Sequence, residues 1–414
     1  MNRLPVGAGF FVPVTVDHSE SGHAMTESGT RTPEPFTAHT TDEQIADLRS
    51  RLLATRWPDA PDRADWSLGA DTSYLRELVG YWAHDFSWPE QEHALAALPR
   101  FTMPVDGHNV HFVHARAAEG SPDPLPLILT HGWPDSFWRY SKVIPLLTDP
   151  GRHGGDPADA FDVVVPDLPG FGFSERPHHA LNAVQVSTLW AALMEILGYP
   201  RFGAVGGDIG SNVSRFLALD FPQRVVAVHR MDAGFPTVDP SAIDLTPEER
   251  HWIAGAAAWS AEEGAYAAMH RTKPQTAATA LNDSPAGLAA WIVEKLRAWS
   301  DCGGDVESAF TRDEILTTVT IYWMTSTIGS SMRMYRANAQ IDAAQLRRRI
   351  EVPSGYSLFA GDIVRPPHAW LHRMSNTVYI SEPDRGGHFA PFEQPELYAA
   401  ELRRFFRPYR RGPN

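Results

Sequence analysis

Apolar residues recur along this chain with two different periods, and the period changes with position. Past Asp42, residues Ile45, Leu48, Leu52 and Leu53 fall at helical spacing, and Tyr74, Leu75, Leu78, Val79, Tyr81 and Trp82 mark a second amphipathic helix ahead of the strand-like run Val110 to Val113. Short apolar runs follow at Leu125 to Leu129, Phe161 to Val165, Phe202 to Val205 and Val225 to Met231, separated by helix-like segments such as Val186 to Leu197 and Ser211 to Asp220. Strands alternating with helices predict a mostly parallel sheet covered on both faces. From about Phe235 to Ile350 helical patterning takes over, including Leu288 to Trp299 and Arg312 to Met324, until Tyr356 to Phe359 and Thr377 to Ile380 restore the strand pattern. The expected organisation is a flexible tail over 1–34, rich in Ser, Thr, Gly, Glu and Pro. A helical segment over 35–115 then leads into the sheet, 116–234 form the first part of an α/β core, 235–351 a helical cap inserted in it, and 352–414 its second part. No internal repeat is visible.

Composition narrows the function classes. The chain has 414 residues, 43% of them apolar and 21% charged, which is ordinary for a folded protein. A formal net charge of -14 argues against nucleic acid as a partner, because counterion release needs clustered Lys and Arg, and Arg347-Arg348-Arg349 is too short a run. The single cysteine, Cys302, can form no internal disulfide and supports no thiolate metal site, so a reducing compartment is expected. Met1 to Val16 is broken by Pro5, Gly7, Gly9 and Pro13 and reads as neither a signal core nor a membrane span, which makes the expected location cytoplasmic.

Candidate chemistry sits at the ends of predicted strands. Ala204-Val205-Gly206-Gly207-Asp208-Ile209-Gly210-Ser211 ends a buried strand, turns through glycines and starts a helix, the arrangement of a nucleophile elbow with Asp where Ser is usual. On this run alone Asp208 reads equally well as a helix N-cap. His131-Gly132-Trp133-Pro134 follows the run Leu125 to Thr130, where a hydrolase of this kind places one oxyanion-hole N–H; Trp133 and Ile209 are the expected backbone donors. Taken singly, that tetrapeptide could be a turn. Arg385-Gly386-Gly387-His388-Phe389 follows the strand Thr377 to Ile380, and this loop singles out His388 among 18 histidines as a base. Asp362, directly after the preceding predicted strand, is the best candidate to orient it, with Asp384 as the rival. His108, His111 and His114 lie three apart in a predicted strand, so successive ones face opposite ways and do not suggest a metal site. Asp167-Leu168-Pro169-Gly170-Phe171-Gly172 lacks the companions of a phosphate cradle and reads as a shaped loop.

These motifs together resemble the microsomal and juvenile-hormone epoxide hydrolases, members of the α/β-hydrolase fold, and the likeness runs from about Pro35 to Tyr409. It includes Thr55-Arg56-Trp57-Pro58 in the N-terminal segment. Relatives usually read Gly-Gly-Asp-Trp-Gly at the nucleophile, His-Gly-Trp-Pro at the oxyanion loop and Gly-Gly-His-Phe-Ala at the base, mapping onto Asp208, Trp133 and His388, with Ile209 replacing the Trp. The resemblance favours Asp362 over Asp384, often Glu in relatives. It assigns the two tyrosines of the helical insertion to Tyr266, in Gly264-Ala265-Tyr266, and Tyr335, in Ser331-Met332-Arg333-Met334-Tyr335. What it implies is an enzyme that opens an epoxide to a vicinal diol through an alkyl ester on Asp208, without metal or organic cofactor. The expected partners are a small-molecule epoxide and, as an open possibility, a second copy of the chain. A haloalkane or haloacid dehalogenase would use the same Asp, acid and His, and a catalytically silent scaffold is the third reading.

Overall fold

Phe161–Pro166 is buried at every position, as a strand covered on both faces must be. It is β5 of a nine-stranded sheet that also contains β1 (Glu34–Pro35), β2 (Arg100–Val105), β3 (His108–Ala115), β4 (Leu125–Thr130), β6 (Phe202–Gly206), β7 (Val225–Arg230), β8 (Ile350–Ser357) and β9 (Ser375–Ser381). The computed structural model describes residues 32–59, 65–235 and 245–410. Strand order is β1-β2-β3-β5-β4-β6-β7-β8-β9. The β1–β2, β2–β3 and β3–β5 pairs are antiparallel, and every pair from β5–β4 to β8–β9 is parallel.

Alternation along the parallel strands builds two apolar layers. Ile128, Val164, Ala204 and Val228 pack with Leu189, Val213 and Phe216 of helices Ala183–Ile196 and Ile209–Asp220. Their neighbours Leu127, Val163, Val165 and Val205 face the other way, toward Leu147, Leu402 and Phe406 of helices Val143–Thr148 and Pro395–Phe406. Between β7 and β8 the chain leaves the sheet for helices Pro247–Glu262, Ala265–Thr272, Pro274–Leu281, Pro285–Trp299, Arg312–Thr325, Ile328–Asn338 and Ala343–Leu346. Thr246 and Thr311 start two of them with capping boxes, in which each threonine hydroxyl accepts the N–H of Glu249 or Glu314 and that glutamate's carboxylate accepts the threonine N–H. The N-terminal helices Asp42–Leu53 and Thr72–His84 lie against this insertion, where Arg51 pairs with Asp283 at 2.8 Å and Tyr81 donates to Asp313 at 2.8 Å.

The strands differ from the sequence expectation at three places. Residues 100–105 form β2, which no apolar run announced. It joins β3 through Asp106-Gly107, both with positive φ (46° and 86°), a turn suited to a two-residue hairpin. β8 begins at Ile350, earlier than Tyr356 and just inside the expected bounds of the insertion. Glu34 and Pro35, placed in or beside the expected tail, pair with Thr102 and Phe101; the rest of that tail, up to residue 31, lies outside the described residues.

Candidate active site

The elbow between β6 and helix Ile209–Asp220 forces Asp208 to φ 58° and ψ -126°, a conformation costly for any residue with a Cβ. Two glycines of the elbow have no room for side chains. A Cβ on Gly210 would lie 1.9 Å from the Thr130 carbonyl oxygen, and one on Gly206 would lie 2.2 Å from that of Gly210. The Asp208 N–H donates to Asp232 Oδ2 at 2.8 Å, and Oδ1 accepts the Trp133 N–H at 2.8 Å. Gly132 makes that approach possible, since a Cβ there would meet Oδ1 at 2.2 Å. His131 holds this loop: its Nδ1–H donates to the Gly132 carbonyl at 2.9 Å while Nε2 accepts from Leu168 N at 3.0 Å. Burial pushes its pKa down, which suits a neutral ring with the proton on Nδ1. Ile209 opens the helix, so its N–H is one of the amides without an intrahelical acceptor.

His388, on the loop after β9, sits with Nδ1 2.9 Å from Asp362 Oδ1 and Nε2 3.7 Å from Asp208 Oδ2. Nε2 is buried and has no hydrogen-bond partner among the described residues. Burial works against protonation of His388, but the charge and hydrogen bond of Asp362, joined by the charge of Asp208, outweigh it and hold the pKa above the usual 6.5. Burial likewise opposes ionisation of Asp362, yet His388 and the Ile363 N–H bring its pKa below the ordinary value. Asp384 is exposed on a bend and makes no such contact. The backbone of the His388 loop is tied down on both sides. The His388 N–H donates to the Trp299 carbonyl at 2.8 Å, Arg139 donates to the His388 carbonyl, and Glu393 accepts the N–H groups of Gly387, Phe389 and Asp301.

The insertion supplies the opposite wall. Tyr266 stacks on the buried Trp133 ring (centroids 5.2 Å apart, 13° between planes) and meets Tyr335 edge-on at 6.0 Å. Burial first, then the neighbouring Asp208 charge, raises the pKa of Tyr266; burial, Tyr266 and Asp208 do the same for Tyr335. Both phenols therefore stay protonated at neutral pH, and the Tyr335 hydroxyl has no hydrogen-bond partner among the described residues. Asp208, Asp362, His388, Tyr266, Tyr335 and Ile209 line one open cavity of 630 Å³, within the usual size range of small-molecule sites. Trp133 contributes its backbone N–H and the ring beneath Tyr266.

Asp232, Arg139, Glu393 and Trp299 were not anticipated. Asp232 had one available signal, its place just beyond β7, since the carboxyl ends of parallel strands are where such folds gather polar groups. Burial raises its pKa; Asp362 and Asp208 add to that and Arg230 opposes it.

Comparison with known proteins fits this arrangement. Residues 33–140 match the family described as epoxide hydrolase N terminus, and 126–274 match the alpha/beta hydrolase fold. Epoxide hydrolase 1 of Oryctolagus cuniculus is 33% identical over 402 residues, covering 90% of this chain and 88% of the relative. This chain belongs to the epoxide hydrolase family. The structure of Aspergillus niger epoxide hydrolase superposes with a TM-score of 0.81 at 30% identity, covering 92% of this chain and 97% of that one. Juvenile hormone epoxide hydrolase from the silkworm Bombyx mori gives 0.78 at 25%, over 92% and 94%. The fold is the α/β-hydrolase fold, and the family places the chain among enzymes.

Proposed function

We propose that the chain hydrolyses an epoxide to a vicinal diol through a covalent ester on Asp208. Asp208 Oδ2, the carboxylate oxygen not held by Trp133, attacks a ring carbon and forms a C–O bond as the ring C–O bond breaks. The departing oxygen takes a proton from Tyr335 or Tyr266, both kept in the protonated form by burial. His388 Nε2 then removes a proton from water, and the resulting hydroxide adds to the ester carbonyl carbon. Negative charge develops on Oδ1, where the Trp133 N–H already donates at 2.8 Å and the Ile209 N–H is free of a helical acceptor. Collapse returns the carboxylate and releases the diol; the His388 proton restores the tyrosine by way of solvent. A carboxylate suits this route because it attacks saturated carbon and leaves an ester that water can open, whereas serine would leave an ether.

The observation that carries the reading is the facing pair: Asp208 with one oxygen held by a backbone donor, and across the cavity the buried Tyr335 hydroxyl, which has no hydrogen-bond partner among the described residues. That donor fits an oxygen leaving group, and the dehalogenase alternative is not favoured. The test is a panel of terminal, aryl and bulky epoxides with haloalkanes beside them, run on the wild type and on Asp208→Ala. Diol release that vanishes in the variant is the expected result; halide release without diol would overturn it. In a single turnover in ¹⁸O-water the label should enter Asp208 and not the first diol released. A cytoplasmic setting, argued from the lone Cys302, belongs to the same proposal and is checked by cell fractionation.

A further inference from the structure

The cavity has a second polar end. Asp208, Asn212 and Arg215 follow one another at i, i+4 and i+7 along the elbow helix, and all three line the cavity. At the rise of an α-helix, Arg215 sits about 10 Å along the axis from the nucleophile. Apolar side chains of Ile209, Ile341 and Leu346 line the same cavity.

Arg215 is 4% exposed; its guanidinium lies over the Phe216 ring, 5.2 Å from the centroid, and of its nitrogens Nη2 alone makes hydrogen bonds among the described residues, donating to the carbonyls of Leu346 (2.9 Å) and Arg348 (2.6 Å). Its Nε and Nη1 have no hydrogen-bond partner among the described residues, and no carboxylate there lies within 4.0 Å. The nearby charges are mostly adverse. Arg230 and Arg348 are cations; Tyr356 favours the charge, and Asp220, the carboxylate that also does, is already paired with Arg348 at 2.6 Å. Burial, then Arg230, brings the guanidinium down to about 10, so it remains charged at neutral pH. A buried cation without a counter-charge is expensive, and two carbonyl contacts on one nitrogen do not neutralise it.

We infer that Arg215 is an anion subsite, and that the substrate is an epoxide carrying a carboxylate on an apolar tether, the acid held at Arg215 while the ring lies at Asp208. This rests on the epoxide-hydrolase reading above and adds the substrate class to it. A charge-assisted hydrogen bond from Nε or Nη1 would supply the recognition.

The test is a series of terminal epoxy-alkanoates of graded tether length, each assayed against its methyl ester. In the wild type, kcat/KM at the best tether length should favour the acid by about tenfold or more. Arg215→Gln should bring the acid-to-ester ratio close to one, and Arg215→Lys should restore part of it. Arg271→Gln, which changes the exposed arginine on the same cavity wall, should leave the ratio intact. Equal rates for acids and esters in the wild type would overturn the subsite, as would a preference that survives Arg215→Gln or disappears with Arg271→Gln. Should Arg215→Gln fail to fold, the wild-type ratio and the Arg271 variant decide. Neutral epoxides hydrolysed without any preference for acids would sink the subsite alone, while inertness toward acids and neutral epoxides alike would sink the reaction as well.

Discussion

Two buried histidines in this chain each rest on an aspartate, and the pairs are close to identical in geometry. His111 Nδ1 lies 2.8 Å from Asp167 Oδ2, and His388 Nδ1 lies 2.9 Å from Asp362 Oδ1. What separates them is the second ring nitrogen. His111 Nε2 accepts from Arg100 Nε at 3.0 Å, so that ring is neutral and fully spent. Arg100 is itself boxed in by Phe36, Phe137 and Phe173, with ring centroids 4.8, 4.7 and 4.4 Å away. Asp167 uses its remaining capacity on the N–H groups of Phe137 and Phe173. His388 Nε2, by contrast, lies 3.7 Å from Asp208 Oδ2 and has no hydrogen-bond partner among the described residues. A His–Asp pair therefore says little about chemistry by itself; the unbonded nitrogen and the carboxylate it faces are what set the His388 ring apart and fit it to the role of base proposed above.

The comparison can be broken most sharply by removing each ring. His388→Gln should lower turnover by about 10²–10⁴-fold and leave the ester on Asp208 long enough to be seen by intact-mass measurement. His111→Ala should do the reverse. It strands Asp167 and Arg100 in the interior, so denaturant unfolding should report a loss of about 3 kcal/mol or more, while turnover per folded molecule persists. If His111→Ala removed activity from a folded protein, the contrast would fail.

A middle-sized effect is expected at Tyr335→Phe, about 10²-fold in kcat if its hydroxyl protonates the departing oxygen. The loss should be greatest for aliphatic epoxides, whose alkoxides are the most basic. A uniform small loss would assign the hydroxyl to packing.

The pH responses of the two pairs should differ in sign. His388 has its pKa raised above 6.5, and the proposed role of base requires the neutral ring, so activity should climb with pH through a midpoint above 6.5. Its contribution to stability is complete below 6.5 and fades as pH rises through the raised value. His111 has its pKa lowered, chiefly by burial. The unfolded chain takes up that proton first, so the stability His111 contributes is present above 6.5 and drains away as pH falls below it. Melting curves of the wild type and His111→Ala between pH 5 and 8, on the order of the ordinary histidine range, would separate the two. The smallest effect is expected from Ile209→Trp, which adds aromatic surface beside the nucleophile and should alter regiochemistry or substrate shape without abolishing turnover; no change in either would set that idea aside.

Much of the fold was readable because parallel strands buried on both faces leave unbroken apolar runs, as in Leu125 to Thr130 and Phe161 to Val165. β2 left none, since Arg100, Thr102 and Pro104 interrupt it, and its partners are found only once the hairpin closes. The start of β8 was masked by Pro353-Ser354-Gly355. A Cβ at Gly355 would lie 2.6 Å from the Phe405 ring, so helix packing, invisible in local sequence, dictates the small residue. At the site the same division holds. Asp208 and His388 stand inside glycine-rich runs that mark their turns. Tyr266 and Tyr335 had no pattern of their own and came only through family likeness. Asp232 and Arg139 act through hydrogen bonds to Asp208 and His388, 24 and 249 residues away, and Glu393 joins the loop around His388 to Asp301, 92 residues away.

The stitching of the base loop to the insertion carries one further consequence. His388 N meets the Trp299 carbonyl, Gly386 N meets Asp301 Oδ2 at 2.9 Å, and a Cβ on Gly387 would lie 2.6 Å from that same carbonyl. A helical module with such a seam is no interchangeable part. Grafting the insertion of one relative onto the sheet of another, a natural route to new substrate range, should succeed only when the turn after Trp299 and the loop around His388 travel together as a single heritable unit.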